Sequence, residues 1–285
     1  MPVINVTHSE ITLAGIGYRV EALDSSDEDK DQDAHLVISD FAGVADGATP
    51  LGEQEPGVPD PKALATAALD ALAEWKSLPA KALFAAAIND VRNRLFLTVP
   101  TERSSIPSCT VAIVRPDGDG IQANVLGDCL VIADTGRVRV VADARLRRVD
   151  DSAIDRLKDE LAHKRSVEAA RHAITPILRR NRSTMNTDEG YYVFSADIDA
   201  ARHVRVGHFR NHPTALLLAS DGFVRLVDVF HKYRSRTTLL HAALELGLGR
   251  MARELRMLEG MPGSDRRYPR FSQFDDATAL LLKRV

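Results

Sequence analysis

Three apolar runs in this sequence end or begin at aspartate. "LLLASDGFVRLVD" (216–228) carries three leucines and an alanine straight into Ser220, Asp221 and Gly222. "FAGVADGAT" (41–49) repeats the pattern with Asp46 and Gly47. "FDDATALLLKRV" (274–285) reverses it, with Asp275 and Asp276 ahead of the run. A lone Asp-Gly pair is ordinarily a turn. Several beside apolar strands put carboxylates where a core meets solvent, and such groups repel one another unless a cation lies between them. Oxygen donors without histidine or cysteine favour Mg²⁺ or Mn²⁺. Two such ions about 3.5–4 Å apart clamp an attacking oxygen and a phosphate, the chemistry of phosphate-ester hydrolysis. Glycine after the aspartate lets the backbone turn tightly and frees a carbonyl to join the shell.

These carboxylates need elements to position them. Residues 10–23 read as a strand or strand pair, followed by an acidic loop at 24–33 and short strands at 34–39 and 41–46. The Pro- and Gly-rich stretch 50–61 is a loop. Helices are expected over 61–78 and 80–99, with Leu64, Ala68, Leu72 and Trp75 on one face of the first. Strands at 108–115, 121–134 and 137–143 read as an antiparallel meander, with "PDGDG" (116–120) as a turn. A helical, basic stretch covers 151–182. Strands follow at 191–197, 203–209 and 214–220, then a long helix at 235–259 and a closing strand at 274–284. Helices come in blocks rather than between every strand, which favours an α+β fold with antiparallel sheets. The 285 residues read as one domain, 1–285.

The net charge of −3 argues against a general nucleic-acid binder. Cys109 and Cys129 are too few for a disulfide framework and lack zinc spacing. No run approaches the roughly 18 apolar residues of a membrane span, and no signal peptide is evident, so a cytoplasmic protein is expected. Asp27, Asp29 and Asp31 imitate the start of a calcium loop, but Gln32 and Ile38 stand where glycine and glutamate are required. Of this acidic run, Asp33 enters the next strand.

Taken together, these stretches resemble the metal-dependent serine/threonine phosphatases of the protein phosphatase 2C type. "DQDAHLVI" is similar to that family's early acidic motif, "FAGVADGAT" to its Asp-Gly motif, and "PSCTVAIV" to its small-Ser-Thr strand. "VLGDCLVIADTGRVRVVAD" resembles its Gly-Asp-Ser hairpin, "LLLASDGFVRLVD" its Ser-Asp-Gly motif and "DDATALLLKR" its closing strand. The six occur in the family's order. The resemblance implies two stacked antiparallel β-sheets flanked by helices, with a two-metal centre at one end. It implies that Asp46 bridges two Mn²⁺ or Mg²⁺ ions and that Gly47 offers its carbonyl. Asp221 and Asp275 would bind the first metal, Asp33 the water of the second, and Asp128 falls where some relatives bind a weaker third. Metal-bound hydroxide would then attack phosphorus directly, with Asp33, Asp46, Asp221 and Asp275 as the catalytic set.

There are departures. Glu28 stands where the family often has a phosphate-holding arginine, and spacing alone chooses between neither Arg19 nor Lys30 as a substitute. Ala48 replaces a histidine proposed as general acid, and Cys129 and Leu130 replace Ser-Arg. The segment 144–190, a variable flap in relatives, matches poorly. Arginines cluster at 145, 147 and 148, at 179, 180 and 182, and at 266, 267 and 270; the forked guanidinium suits phosphate, although a solvated basic face is the commoner use. The expected partner is a phosphorylated protein, with a serine/threonine kinase as a candidate second partner. Neither nucleic acid nor membrane is expected, and the chain is expected to act as a monomer. The alternatives are a catalytically weak scaffold that binds a phosphorylated partner, and an enzyme acting on a small phosphate ester.

Overall fold

The computed structural model describes residues 2–26, 31–52, 56–163 and 166–285. The chain runs β1 (Val3–Leu13), β2 (Ile16–Ser26), β3 (Asp33–Ile38), β4 (Phe41–Ala48), α1 (Pro61–Glu74), α2 (Ala80–Leu95), β5 (Ser108–Asp117) and β6 (Gly120–Leu126). It continues through β7 (Leu130–Asp134), β8 (Val138–Val141), α3 (Arg145–His163), α4 (Val167–Ser183), β9 (Arg205–Phe209), β10 (Ala215–Ala219) and α5 (Asp221–Asp228). It closes with α6 (Arg236–Leu246), α7 (Leu248–Gly260), a short α8 (Ser264–Arg267) and β11 (Ala277–Arg284). One sheet has six strands in the order β1-β2-β11-β10-β7-β8, the other five in the order β3-β4-β5-β6-β9. Each strand pairing is antiparallel.

The apolar runs are continuous because both faces of the central strands are covered. Successive strand residues point to opposite faces. On β10, Leu216 and Leu218 enter the core between the sheets, while Leu217 and Ala219 face helices α5–α7. On β11, Leu280 and Leu282 take the first side and Ala279 and Leu281 the second. In the other sheet, Ala42 and Val44 of β4 face inward, while Phe41 and Ala45 meet α1 and α2 through residues such as Leu64, Leu72 and Phe84. The result is a four-layer α-β-β-α sandwich, the α+β architecture read from the motif order.

Several elements differ from the sequence expectation. The stretch 121–134 is two strands in different sheets: β6 lies in the five-stranded sheet and β7 in the other. The chain crosses between them at Gly127, whose φ of +93° favours glycine. Residues 191–197 form no regular strand; Phe194 makes one isolated backbone bridge to Cys109. Their apolar character reflects burial of Tyr191, Val193 and Phe194 beside α2 rather than a ladder. The expected helix at 235–259 breaks at Gly247, φ +77°, into α6 and α7. Helix α1 begins as its sequence requires, with the Asp60 carboxylate accepting the Ala63 N–H at 3.0 Å and Pro61 at the first turn.

Leu217 is fully buried between β10 and the α5–α7 layer. Leu217→Ala is expected to lower unfolding free energy by about 2–5 kcal/mol, the range for a buried leucine deletion, as read by urea denaturation. A change below 1 kcal/mol would show that the layer repacks freely.

Candidate metal centre

The antiparallel register places Asp33, the first residue of β3, opposite Asp46 near the end of β4. On the facing sheet, Asp221 follows β10 after one intervening residue, Ser220, and Asp275 and Asp276 precede β11. Since β10 and β11 pair with Ala219 opposite Ala279, those aspartates lie at the same edge. Asp128 precedes β7, and Ala219 is paired with Leu130. The strand ends of both sheets therefore deliver Asp33, Asp46, Asp128, Asp221 and Asp275 to one end of the sandwich.

Close backbone approaches hold these ends together. The Gly47 N–H donates to the Gln32 carbonyl at 3.2 Å. A Cβ on Gly47 would lie 2.6 Å from that oxygen and 2.7 Å from the Pro61 carbonyl, so only glycine fits. Gly222 is tighter still, because a Cβ there would overlap the Asp276 carbonyl. Ser220 locks the same junction: its N–H donates to the Thr278 carbonyl at 2.9 Å and its Oγ accepts the Thr278 N–H at 3.0 Å. The Asp276 carboxylate accepts the Gln32 N–H at 2.7 Å, tying β3 to the start of β11 across the two sheets. Gly127 presses on Thr110, and the Thr110 hydroxyl lies 3.1 Å from the Cys129 sulfur.

The electrostatics follow from burial and crowding. Asp33 is 1% exposed, and burial, then Asp276, Asp275 and Asp221, drive its carboxyl well above the usual range. Thr278 softens that shift, although neither Asp33 oxygen has a hydrogen bond of ordinary geometry. Asp46 is raised by burial, then by Asp33 and Asp221. Asp128 is raised by burial, then by Asp221 and Asp150. Asp275 is pushed up to about 7 by burial, against the opposing effect of Arg225. Asp276 rises to about 6 through burial, offset in part by the Gln32 N–H.

A buried carboxylate with two unpartnered oxygens is a costly arrangement. At Asp33 it fits a cation, and the all-oxygen donor set fits Mg²⁺ or Mn²⁺. Among the described residues, no three His, Cys, Asp or Glu side chains form a closed ligand cage. The arrangement is an open one, with its aspartates carried by separate elements.

Asp275 differs from its neighbours. Arg225, one helical turn after Asp221, donates to its carboxylate. The same guanidinium donates to Glu259 at 3.2 Å and to the Ser272 hydroxyl at 3.0 Å. Glu259 is fully buried and also pairs with Arg256. Two arginines on one glutamate leave one positive charge over, and Asp275 balances it. Asp275 can serve a metal only by sharing its carboxylate with Arg225.

One contributor was not read from the sequence, and a second was named there only as part of a basic cluster. Asp150, on α3, is pushed up to about 7 by burial and then by Asp221, which places the flap helix beside the centre. Nothing in the sequence distinguished it from the other acids of that helix, Asp151, Asp155, Asp159 and Glu160. Arg182, on α4, is buried and donates to the Ala48 carbonyl at 3.1 Å, tying the flap to the strand that carries Asp46. Of the proposed phosphate-holding residues, Arg19 is misplaced. It pairs with Lys283 while Asp24 pairs with Thr278, so five residues, roughly 16 Å, separate it from the strand end at the centre. Glu28 and Lys30 lie outside the described residues, as do Asp27 and Asp29 of the acidic run.

Comparison with known proteins adds the decisive observation. No family model and no curated protein matches the sequence. Solved structures do match. A bacterial serine phosphatase superposes with a TM-score of 0.52 at 14% identity, covering 93% of this chain and 96% of the other. The fold is that of the bacterial serine/threonine phosphatases. The Staphylococcus aureus serine/threonine phosphatase Stp1 gives a TM-score of 0.51 at 13% identity, covering 93% of this chain and 94% of that one. The Mycobacterium tuberculosis serine/threonine phosphatase PstP/Ppp gives 0.50 at 12% identity, with 93% and 98% covered. At such identities the likeness concerns the path of the backbone, and it agrees with the resemblance carried by the six motifs.

Two predictions follow from the charges. Asp150, Asp275 and Asp276 have folded pKa values of about 7, 7 and 6, above the ordinary carboxylate range. The folded protein therefore binds more protons than the unfolded chain between about pH 4 and about pH 7, and stability falls as pH rises through that window. Metal-free protein is expected to melt at a lower temperature at pH 7.5 than at pH 5, with Mn²⁺ raising the melting temperature more at the higher pH. A flat profile would contradict the crowding. Separately, Arg225→Gln is expected to tighten Mn²⁺ binding about tenfold by calorimetry, through release of Asp275. Unchanged affinity would show that the Arg225–Asp275 pair does not oppose the metal.

Proposed function

We propose that this chain is a metal-dependent phosphatase that hydrolyses phosphoserine or phosphothreonine on proteins. The observation that carries the reading is the buried, unpartnered Asp33 carboxylate facing Asp46, at the end of a fold shared with bacterial serine/threonine phosphatases. In this reading Asp33, Asp46, Asp221 and Asp275 with the Gly47 carbonyl hold two ions, Mn²⁺ or Mg²⁺, and Asp128 serves a third. The bound ions supply charge neutralisation at the phosphoryl oxygens and an acidified water for in-line attack.

The chain's own residues do the positioning. Asp33 and Asp46 are held rigid by the β3–β4 pairing and by Gly47 packed under two carbonyls. Asp221 is fixed at the start of α5 by the Ser220–Thr278 bonds. Burial keeps water away from Asp33 and strengthens its attraction for a cation. The proposal carries with it the expectations of a phosphorylated protein substrate, an opposing serine/threonine kinase, monomeric action, a single domain over residues 1–285 and a cytoplasmic setting. Among the described residues, no helix is long and apolar enough to cross a membrane.

A second reading has one observation in its favour. Arg225 already neutralises Asp275, which weakens one arm of the ligand set. A scaffold that binds a phosphorylated partner with little turnover would be built this way.

The test is hydrolysis of p-nitrophenyl phosphate with Mn²⁺ and with chelator. Wild-type turnover is expected to require metal and to fall at least 100-fold in Asp46→Asn and in Asp221→Asn, the scale on which removal of one charge-stabilising group acts. Retained turnover in either variant would sink the assignment. Absence of turnover in the wild type, with Mn²⁺ bound, would favour the scaffold.

A further inference from the structure

A groove of about 640 Å³ opens beside Asp128 and Asp221. It runs between two helix faces. Helix α3 contributes Arg147, Asp150 and Ile154, and α5 contributes Asp221, Val224 and Asp228. Both sets follow the three-to-four residue spacing of a single helical face. Asp221 and Asp228 mark the two ends of α5, seven residues and so about 10 Å apart.

The two ends differ in charge. At the Asp221 end lie the aspartates of the candidate centre. At the Asp228 end lie guanidinium groups. Arg236 grips Asp228 through two bonds, at 2.8 and 2.6 Å, and Arg147 lies on the same carboxylate at 3.1 Å. Two cations on one anion leave a positive charge over. Arg267 adds another: its guanidinium stands over the Tyr268 ring at 5.3 Å, and that ring packs edge-on against Phe230, two residues beyond Asp228. The Arg147 side chain is 57% exposed, and Arg267 is exposed as well, so both can reach a ligand.

We propose that this groove selects phosphorylated segments bearing a second anionic group about three residues from the target residue. The target phosphate lies at the aspartate end. An extended peptide advances about 3.3 Å per residue, so three residues span the length of α5 and bring the second anion to Arg147, Arg236 and Arg267. That anion is a carboxylate or a second phosphate, either of which the guanidinium fork accepts. The proposal rests on the phosphatase reading for the placement of the first phosphate, and it adds the substrate class.

The test separates binding from turnover. Peptides carrying a non-hydrolysable phosphonate at the target serine are prepared with Glu, phosphoserine, Ala or Lys three residues away, on either side. Affinity is measured by calorimetry with Mn²⁺ present. Glu is expected to bind about tenfold more tightly than Ala on one side only, with phosphoserine tighter again and Lys weaker. Arg147→Glu is expected to reverse the Glu-over-Lys order, and Arg267→Ala to shrink the Glu-to-Ala ratio. Since each variant is judged by a ratio between peptides, a general loss of fold would move all peptides alike. Equal affinity for Glu, Ala and Lys peptides in the wild type, or an unchanged order in Arg147→Glu, overturns the groove assignment. Hydrolysis of the matching phosphoserine peptides is measured in parallel. Its absence would remove the phosphatase reading while leaving the binding preference to stand or fall by itself.

Discussion

The mutual repulsion of carboxylates gathered at one end of the sandwich is the constraint on which the rest of this structure depends. Asp33 is buried with neither oxygen satisfied, and Asp46, Asp128, Asp221, Asp275 and Asp276 crowd the same edge. Such an arrangement opposes folding unless it is protonated or neutralised. The protein offsets part of it internally, through Arg225 on Asp275 and the Gln32 N–H on Asp276. Asp128 has Thr110 as a hydrogen-bonding neighbour, whereas the two buried Asp33 oxygens have no partner of ordinary geometry, which fits a cation ligand.

The scaffold is stiff enough to hold that arrangement. Three apolar layers run through it, one between the sheets and one under each helix layer. The central strands are buried on both faces, so their ends cannot drift without opening two cores at once. The backbone contacts at Gly47 and Gly222 carry that rigidity into the loops. The α3–α4 flap is a different case. It has a small core of its own around Leu157, Leu161, Ala170 and Ile174, and it meets the body through several polar anchors, among them Arg182 on the Ala48 carbonyl, Arg179 on the Leu51 carbonyl and Arg147 on Asp228.

The buried Arg225–Glu259–Arg256 cluster joins structure to function. Glu259 sits in the six-stranded half and requires cations because it is fully buried. Supplying two leaves a charge that reaches Asp275. A requirement of the helix layer thus sets the charge that faces Asp275 at the crowded end of the sandwich.

Much of this was legible in the linear chain, because the signals were local. Apolar runs that terminate at Asp-Gly mark strands covered on both faces and ending at a rim, and blocks of helices between groups of strands mark an antiparallel α+β sandwich. Those patterns singled out Asp46, Gly47, Asp221 and Asp275, while Asp33 and Asp128 entered through the resemblance to the metal-dependent phosphatases. Other features depended on contacts distant in sequence. The assignment of β6 and β7 to different sheets turned on one glycine with positive φ. The run at 191–197 was apolar through burial, not through strand pairing, and periodicity does not distinguish the two. Asp150 acquired its raised pKa only when α3 packed beside Asp221, and Arg225 met Asp275 across 50 residues. The sequence by itself determined which side chains could bear charge and which segments had to be buried. Tertiary structure alone decided which charges would face one another, since electrostatic partnership depends on distance in space and on the water excluded between groups.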